Sequence, residues 1–399
     1  MEASSRGRMS ERNIIVYAGG FVLPDGNASA QRALENARLF RSLGYEVVLV
    51  GQLPRQGGAE IPAMEIDGFR CLNIRTPDGR AWPHFRKNGA SLLAAIEQIG
   101  PANVFAVIAY NYPAPPLAQL LGYARGKGLP VVAECTEWYG WEGDKLVHNL
   151  RRLWETEWRI RVLARRAGNV ICSSDWGADF YRGLNTLVVP FVIDRKAAKW
   201  TVPPWPKGPA RRLVYVGSPG RGMTKDRLHL AIAALARLAR EGAAFDFQVA
   251  GVTAADVLKT FPCLAGDIEA LGERIAFHGR LPHAEAVALL KSADFSFFVR
   301  PDNRVSRFGF PTKVAEAFAC GVPTITNATS DIPKYVRDGE TGILLAGTDA
   351  ASVAAGLSRA LALSDDDLAT MKVRCLAEDP FSPAHFAEPA RAFFERLRP

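Results

Sequence analysis

Lys313 and Glu316 lie one helical turn apart in an otherwise apolar stretch of Val314, Ala315, Ala317, Phe318 and Ala319. Pro311 precedes them, and proline suits a helix start, where its missing N–H has no partner to lose. The spacing predicts a helix running from there through Cys320 to a stop at Gly321, with Pro323 beyond it. The first N–H groups of a helix are unpaired and carry partial positive charge, so this end is suited to an anion. Lys313 in the first turn opposes the helix dipole, and a diphosphate would give a cation there a purpose. Glu316, one turn after Thr312, has two acceptor oxygens that can take both hydroxyls of a ribose. An ordinary amphipathic helix with a solvated Lys and Glu has the same spacing, so the residues alone leave both readings open.

Positioning such a site takes strands and helices in alternation, and the chain supplies them. Short apolar runs alternate with amphipathic stretches, the pattern of a parallel sheet covered on both faces. The first strand is expected at Asn13–Ala18, entering a turn at Gly19-Gly20, with a helix over Ala28–Leu43 and a strand at Glu46–Val50. More strands are expected at Phe69–Asn73, Val104–Ala109, Pro130–Ala133, Asn169–Cys172 and Leu187–Val189. Four prolines and two tryptophans without periodicity fall between Asp194 and Arg212, the composition of a linker. The pattern then restarts with Leu213–Val216, a glycine-rich loop from Gly217 and a helix carrying Leu228, Ile232, Leu235 and Leu238 on one face. Strands follow at Phe245–Ala250, Arg274–His278, Phe295–Val299, Thr324–Thr326 and Gly342–Leu345. The expectation is an α/β protein of two tandem Rossmann-like domains, residues 1–193 and 194–399, facing across a cleft. The last helix, with Phe386, Ala390, Phe393, Phe394 and Leu397 on one stripe, is expected to pack back toward the first domain. Ligands of such sheets bind beyond the carboxyl ends of the strands, which directs attention to residues just after them.

The 399 residues suffice for two domains of ordinary size, and the composition is that of a globular protein. No run of about 20 apolar residues occurs, so no spanning helix is expected. Met1–Arg12 is polar and basic without the apolar core of a signal peptide and reads as a disordered leader. The six cysteines have no metal-ligand spacing and read as reduced thiols of a cytoplasmic protein. A net charge of +8 favours a polyanionic partner: nucleic acid, an anionic membrane or a phosphorylated substrate. No nucleic-acid-binding motif is present, so that class is set aside. Arg80, Arg86 and Lys87, with Arg151, Arg152, Arg159, Arg161, Arg165 and Arg166, form a basic concentration in the first half. The second group shares one expected helix with Leu153, Trp154, Trp158 and Leu163, whose apolar side should pack on the sheet. A basic face there would be either simply solvated or a contact for anionic lipid.

The segment P-T-K-V-A-E-A-F-A-C-G-V-P-T-I resembles the nucleotide-binding signature of the retaining family-4 glycosyltransferases of the GT-B fold. It most resembles the bacterial branch that builds capsule, O-antigen or exopolysaccharide. Y-A-G-G-F-V-L-P-D-G-N-A-S-A-Q-R looks like that branch's opening loop and first helix, and Y-V-G-S-P-G-R-G-M-T-K-D like its phosphate loop. With T-S-D-I-P-K-Y-V-R-D-G-E-T-G-I-L-L, the similarity covers most of the chain. The resemblance implies a retaining transferase that moves a sugar from a nucleotide sugar, UDP- or GDP-linked, to a glycan or lipid-diphosphate-linked acceptor at the cytoplasmic face. It implies no cofactor and no metal. Glu316 would hold the donor ribose, Lys225 the diphosphate, with Arg221 as a second cation, while Gly19 and Gly20 would admit the donor closely. Gly217, Ser218, Arg300, Phe310, Pro311, Thr312 and Lys313 complete the expected donor-binding set.

Three positions depart from the family pattern. Phe308 stands where many members have a glutamate, eight residues before Glu316, and Ser218 stands where an arginine usually follows the phosphate-loop glycine. In place of a histidine after the fifth strand the chain has Glu134-Cys135-Thr136-Glu137-Trp138-Tyr139. Glu137 becomes the candidate at the reacting centre, and Arg300 or Arg304 the replacement for the lost donor contacts. The only D-x-D occurs within Asp365-Asp366-Asp367, which reads as a helix cap, so cations rather than a metal should face the leaving group. The alternatives are a nucleotide-sugar epimerase or phosphorylase of the same fold, or a degenerate, non-catalytic GT-B scaffold. A dinucleotide oxidoreductase is disfavoured because no G-x-G-x-x-G follows either first strand.

Overall fold

The computed structural model describes residues 12–24, 26–56, 59–74, 89–141 and 146–397. The Met1–Arg12 leader up to residue 11 and the basic Arg80, Arg86 and Lys87 lie outside the described residues, as does the side chain of Arg221.

The first sheet has eight strands: β1 (Ile14–Val22), β2 (Glu46–Gln52), β3 (Ala63–Ile66), β4 (Phe69–Asn73), β5 (Val104–Tyr110), β6 (Val131–Cys135), β7 (Asn169–Cys172) and β8 (Asn185–Val188). Their spatial order is β8-β7-β6-β5-β1-β2-β4-β3, parallel except for the β3–β4 pair at one edge. The second sheet has six: β9 (Arg211–Val216), β10 (Phe245–Ala250), β11 (Ile275–Gly279), β12 (Phe295–Phe297), β13 (Thr324–Asn327) and β14 (Gly342–Leu345). All are parallel, in the order β11-β10-β9-β12-β13-β14. This is the doubly wound order, which reverses between β9 and β12 and leaves a crevice at their carboxyl ends. In the first sheet the reversal falls between β1 and β5. Apolar runs such as Val131–Ala133 are buried on both faces, as a sheet with helices on either side requires.

One strand is longer than its sequence suggests. Gly19 and Gly20 are not a turn; β1 runs through them to Val22, with an irregular register past Ala18. A Cβ on Gly19 would come within 2.9 Å of the Phe21 ring and 3.0 Å of Tyr110 Cβ. Glycine is required there by crowding rather than by a turn.

The two sheets are joined twice. The chain crosses once between β8 and β9, and helix α7 (Pro383–Glu395) crosses back and inserts Phe393 and Phe394 into the first domain's core. Phe394 meets Phe40 edge-on at 5.0 Å, and Asn185 Nδ2 donates to the Phe393 carbonyl at 3.1 Å. A buried Arg32–Glu134 pair (2.6 Å) anchors the crossover, because Arg32 also donates to the carbonyls of Val189 and Pro190 at 2.8 and 2.7 Å.

Two helices differ from expectation. The polar stretch after β12 contains a short helix, α5 (Arg304–Phe308), capped by Asn303, whose side chain accepts from Ser306 N. The basic segment is helix α2 (Leu146–Glu157) continued by a π-helical turn at Trp158–Leu163. Its buried side is Asn149, Thr156, Arg159, Ile160 and Leu163, while Trp154 points to solvent, so the expected packing of Trp154 on the sheet does not occur. The adjacent core holds Trp138 and Phe308, with the partly buried Trp176 packed against them.

Candidate active site

Strand β9 ends at Val216, and Gly217 follows with φ +124°, a conformation reserved for glycine. A Cβ at Gly217 would lie 2.8 Å from Lys313 Nζ, so the glycine leaves room for that amine. Lys313 stands in the first turn of helix α6 (Thr312–Ala319), which Pro311 precedes and Gly321 (φ +66°) ends, close to the expected bounds. Its Nζ binds Asp226 Oδ2 at 2.8 Å. Arg300, just beyond β12, binds the other oxygen through Nε at 3.1 Å, and Tyr215 Oη donates to Asp226 Oδ2 at 2.9 Å. Asp226 is fully buried, and burial alone would raise its pKa. Lys313 and Arg300 reverse that and hold its carboxyl well below the usual range. One carboxylate against two cations leaves an excess of positive charge between β9 and β12, where the strand order reverses.

Lys225 precedes this hub in the loop, its N–H donating to Pro219 O at 2.9 Å. Its half-exposed ammonium faces the first domain, 3.8 Å from Glu137 Oε1, which follows β6. Desolvation in the cleft lowers its pKa against the pull of Glu137, and the nearby Arg300 and Lys313 charges lower it further. A third basic group thus points into the cleft, and an anion bound there would restore the proton affinity that desolvation and the neighbouring cations lower. Glu316 lies one turn along α6 from Lys313. Burial pushes its carboxyl up to about 6, against the attraction of Lys313 and Lys199. Gly20 lines the cleft on the first domain's side together with Glu137 and Asn111, whose side chain holds Thr136 from both atoms (2.8 and 3.1 Å).

Several expected residues are occupied otherwise. Phe310 packs its ring on Tyr335 and Phe381, and its N–H donates to Ser173 Oγ at 3.2 Å, so neither is directed at a ligand. Arg304 is bound to Glu157 at 3.0 Å and lies 4.3 Å over the Trp138 ring, away from the hub. Ser218 is exposed, its Oγ accepting from Gly220 N at 3.3 Å. Pro311 and Thr312 set the start of α6. Phe308 does not face the cleft. It is fully buried in the first domain's core among Trp138, Trp176 and Tyr181.

Asp226 was not singled out by sequence. Its signal is its place directly after Lys225 in the glycine-rich loop, where two cations expected to face a phosphate needed a shared counter-charge.

This is the GT-B architecture, and the solved structures it resembles share it. Sucrose-phosphate synthase from Thermosynechococcus elongatus superposes with a TM-score of 0.68 at 16% identity, covering 96% of this chain and 99% of that one. WaaG, a glycosyltransferase of lipopolysaccharide biosynthesis, gives 0.61 at 15% identity over 95% and 98%. Anabaena HepE, solved with UDP and glucose, gives 0.61 at 14% identity over 97% and 100%. Residues 27–192 match the glycosyl transferase 4-like domain, and residues 210–363 match glycosyl transferases group 1. With both domains matched, the chain belongs to the GT-B glycosyltransferases. WcaL of Escherichia coli K12 is 30% identical over 173 residues, and WcaL of Salmonella typhimurium 29% over 171. Their name assigns them, provisionally, a glycosyltransferase role in colanic acid biosynthesis. Each match spans 42% of this chain and 41% of the relative.

Proposed function

We propose that this chain is a retaining, metal-independent glycosyltransferase of bacterial surface-polysaccharide biosynthesis. It moves a sugar from a nucleoside-diphosphate sugar to a glycan or lipid-diphosphate-linked acceptor at an anionic membrane surface. The observation that carries the reading is the charge arrangement at the reversal of the second sheet. Lys225 faces Glu137 across the cleft, while Lys313 and Arg300 share the single carboxylate of Asp226. Departure of a nucleoside diphosphate builds negative charge on its β-phosphate, and preplaced cations stabilise that charge in the transition state. Glu316, one turn on, would accept the ribose hydroxyls. UDP-sugars lead the donor panel because HepE was solved with UDP and glucose. Retention without a covalent intermediate needs front-face attack, with the acceptor hydroxyl entering on the leaving group's side beside Lys225 and Glu137.

The test is product analysis with UDP-, GDP-, ADP- and dTDP-sugars, each with and without acceptor, after thermal-shift screening for the donor. Transfer only when acceptor is present, with the donor's anomeric configuration kept, is expected. Conversion of donor alone would identify an epimerase, and donor binding without any turnover a scaffold. Turnover should persist in EDTA, because cations take the place of a metal at the diphosphate. Loss on chelation, restored by Mg²⁺ or Mn²⁺, would overturn metal independence.

A further inference from the structure

Beside the Lys225–Glu137 pair the cleft opens into a cavity of 340 Å³ on the first domain's side. Asn111, Glu137 and one face of the α2 segment, with His148, Arg152, Glu155 and Arg159, line it. Four arginines are buried among the described residues, and three of them hold a carboxylate: Arg32 with Glu134, Arg212 with Asp246 and Arg300 with Asp226. Arg159, only 3% exposed, has no carboxylate within ion-pair distance among the described residues. One NH2 donates to the Glu137 carbonyl oxygen at 2.6 Å, and its Nε has no hydrogen-bond partner among those residues. It lies 5.1 Å from the Tyr139 ring centre, and Arg152 lies 4.7 Å from the same ring. Of the two lining carboxylates, Glu137 is met by Lys225. A guanidinium withdrawn from water without a counter-charge is costly, and a protein keeps one where a ligand brings the anion.

We propose that this cavity binds an oxyanion carried by the acceptor, a phosphate or a carboxylate, which completes the Arg159 ion pair. Bound there, it holds the acceptor hydroxyl next to Glu137 and Lys225. The inference rests on the transferase reading of the cleft, but its test needs neither donor nor turnover.

Binding to the full chain is measured with glucuronate, geranyl diphosphate and glucose, by titration and by melting temperature. The expected result is binding of at least one anion and none of glucose, with the preferred anion identifying whether the acceptor's charge is a sugar carboxylate or a lipid diphosphate. Arg159→Met should weaken that binding about tenfold or more, as loss of a charge-assisted hydrogen bond predicts, while Lys313→Met keeps it. Arg159→Met should also melt no lower than the parent, because an unpaired buried charge is removed. Arg152→Ala, on a half-buried side chain, provides a second measure and should weaken anion binding several-fold. Equal binding of glucose and anions would overturn the proposal. So would unchanged anion affinity in both arginine variants, or loss confined to Lys313→Met, which would place the anion in the donor site.

Discussion

Glu316 couples stability and function in opposite directions. Its carboxyl is raised to about 6 by burial, so the folded state favours the protonated form. The stability it contributes is fully present below the ordinary carboxylate pKa of 4.5 and is lost as pH rises from there through about 6. At pH 7 the carboxylate is kept ionised at a cost, and donor ribose is what would use it. Glu316→Gln should therefore raise the melting temperature of the ligand-free protein at pH 7 while weakening donor binding. Glu316→Ala should weaken binding by about 1.5–3 kcal/mol, the worth of a charge-assisted hydrogen bond. In the parent protein donor affinity should fall as pH drops through 6, and in Glu316→Gln this dependence should vanish. Calorimetric titration at pH 5 and 7 checks both, and a pH dependence retained in the Gln variant would remove Glu316 from the ribose site. Lys225→Ala should lower kcat more than it raises KM, because charge on the leaving diphosphate grows toward the transition state. An effect confined to KM would reduce Lys225 to a ground-state clamp.

At the scale of elements, α5 and the residues after it show what a single sequence reveals and what it hides. Helix α6 was legible because Pro311, the apolar stripe and Gly321 are local signals, and the structure places it at Thr312–Ala319. The buried parallel strands were legible from their apolar runs. Gly19-Gly20 misled, because a glycine pair reads as a turn unless the Phe21 and Tyr110 side chains crowding it are known. Phe308 misled further. Its partners Trp138, Trp176 and Tyr181 are more than a hundred residues away in sequence, on the other domain. It sits where many members of the resembled family have a glutamate, and the structure makes it a plug between domains. Ser174 Oγ donates to the carbonyls of Phe308 (2.8 Å) and Arg307 (3.0 Å), and Asp175 N donates to Asp331 Oδ2 at 2.9 Å. Gly309 lets the chain lie against the first domain, since a Cβ there would come within 2.9 Å of Thr136 O. Phe308→Ala should cost about 3–5 kcal/mol in denaturant unfolding, the range for removing a buried phenyl ring. A loss below about 1 kcal/mol would mean that the two domains do not hold this arrangement in solution.

At the scale of the whole molecule, one surface remains unexplained by the fold. Helix α2 presents its cavity face, with His148, Arg152 and Arg159, toward the cleft, and its other side to solvent. On that outer side Val147 is 79% and Trp154 61% exposed, with Leu146, Leu150 and the preceding Trp141 each more than half exposed. Large apolar side chains grouped on one side of a helix mark a surface that is covered in use. Exposed Arg151, Arg161, Arg165 and Arg166 flank them, and the chain carries +8 overall, so a cover of matching chemistry would be apolar beneath an anionic surface. A membrane leaflet rich in anionic lipid has that composition, and an interfacial helix would bury Trp154, Val147 and Leu150 while its arginines meet headgroups. A lipid-linked acceptor would then enter the cavity from the surface on which the enzyme rests. No helix among the described residues is long and apolar enough to cross a membrane. Co-sedimentation with liposomes should rise with anionic lipid content and fall with salt. Leu150→Glu together with Trp154→Glu should abolish it at only a small cost in melting temperature, because both side chains are more than half exposed. Binding that ignores lipid charge, or that survives the double substitution, would show that this face serves another purpose.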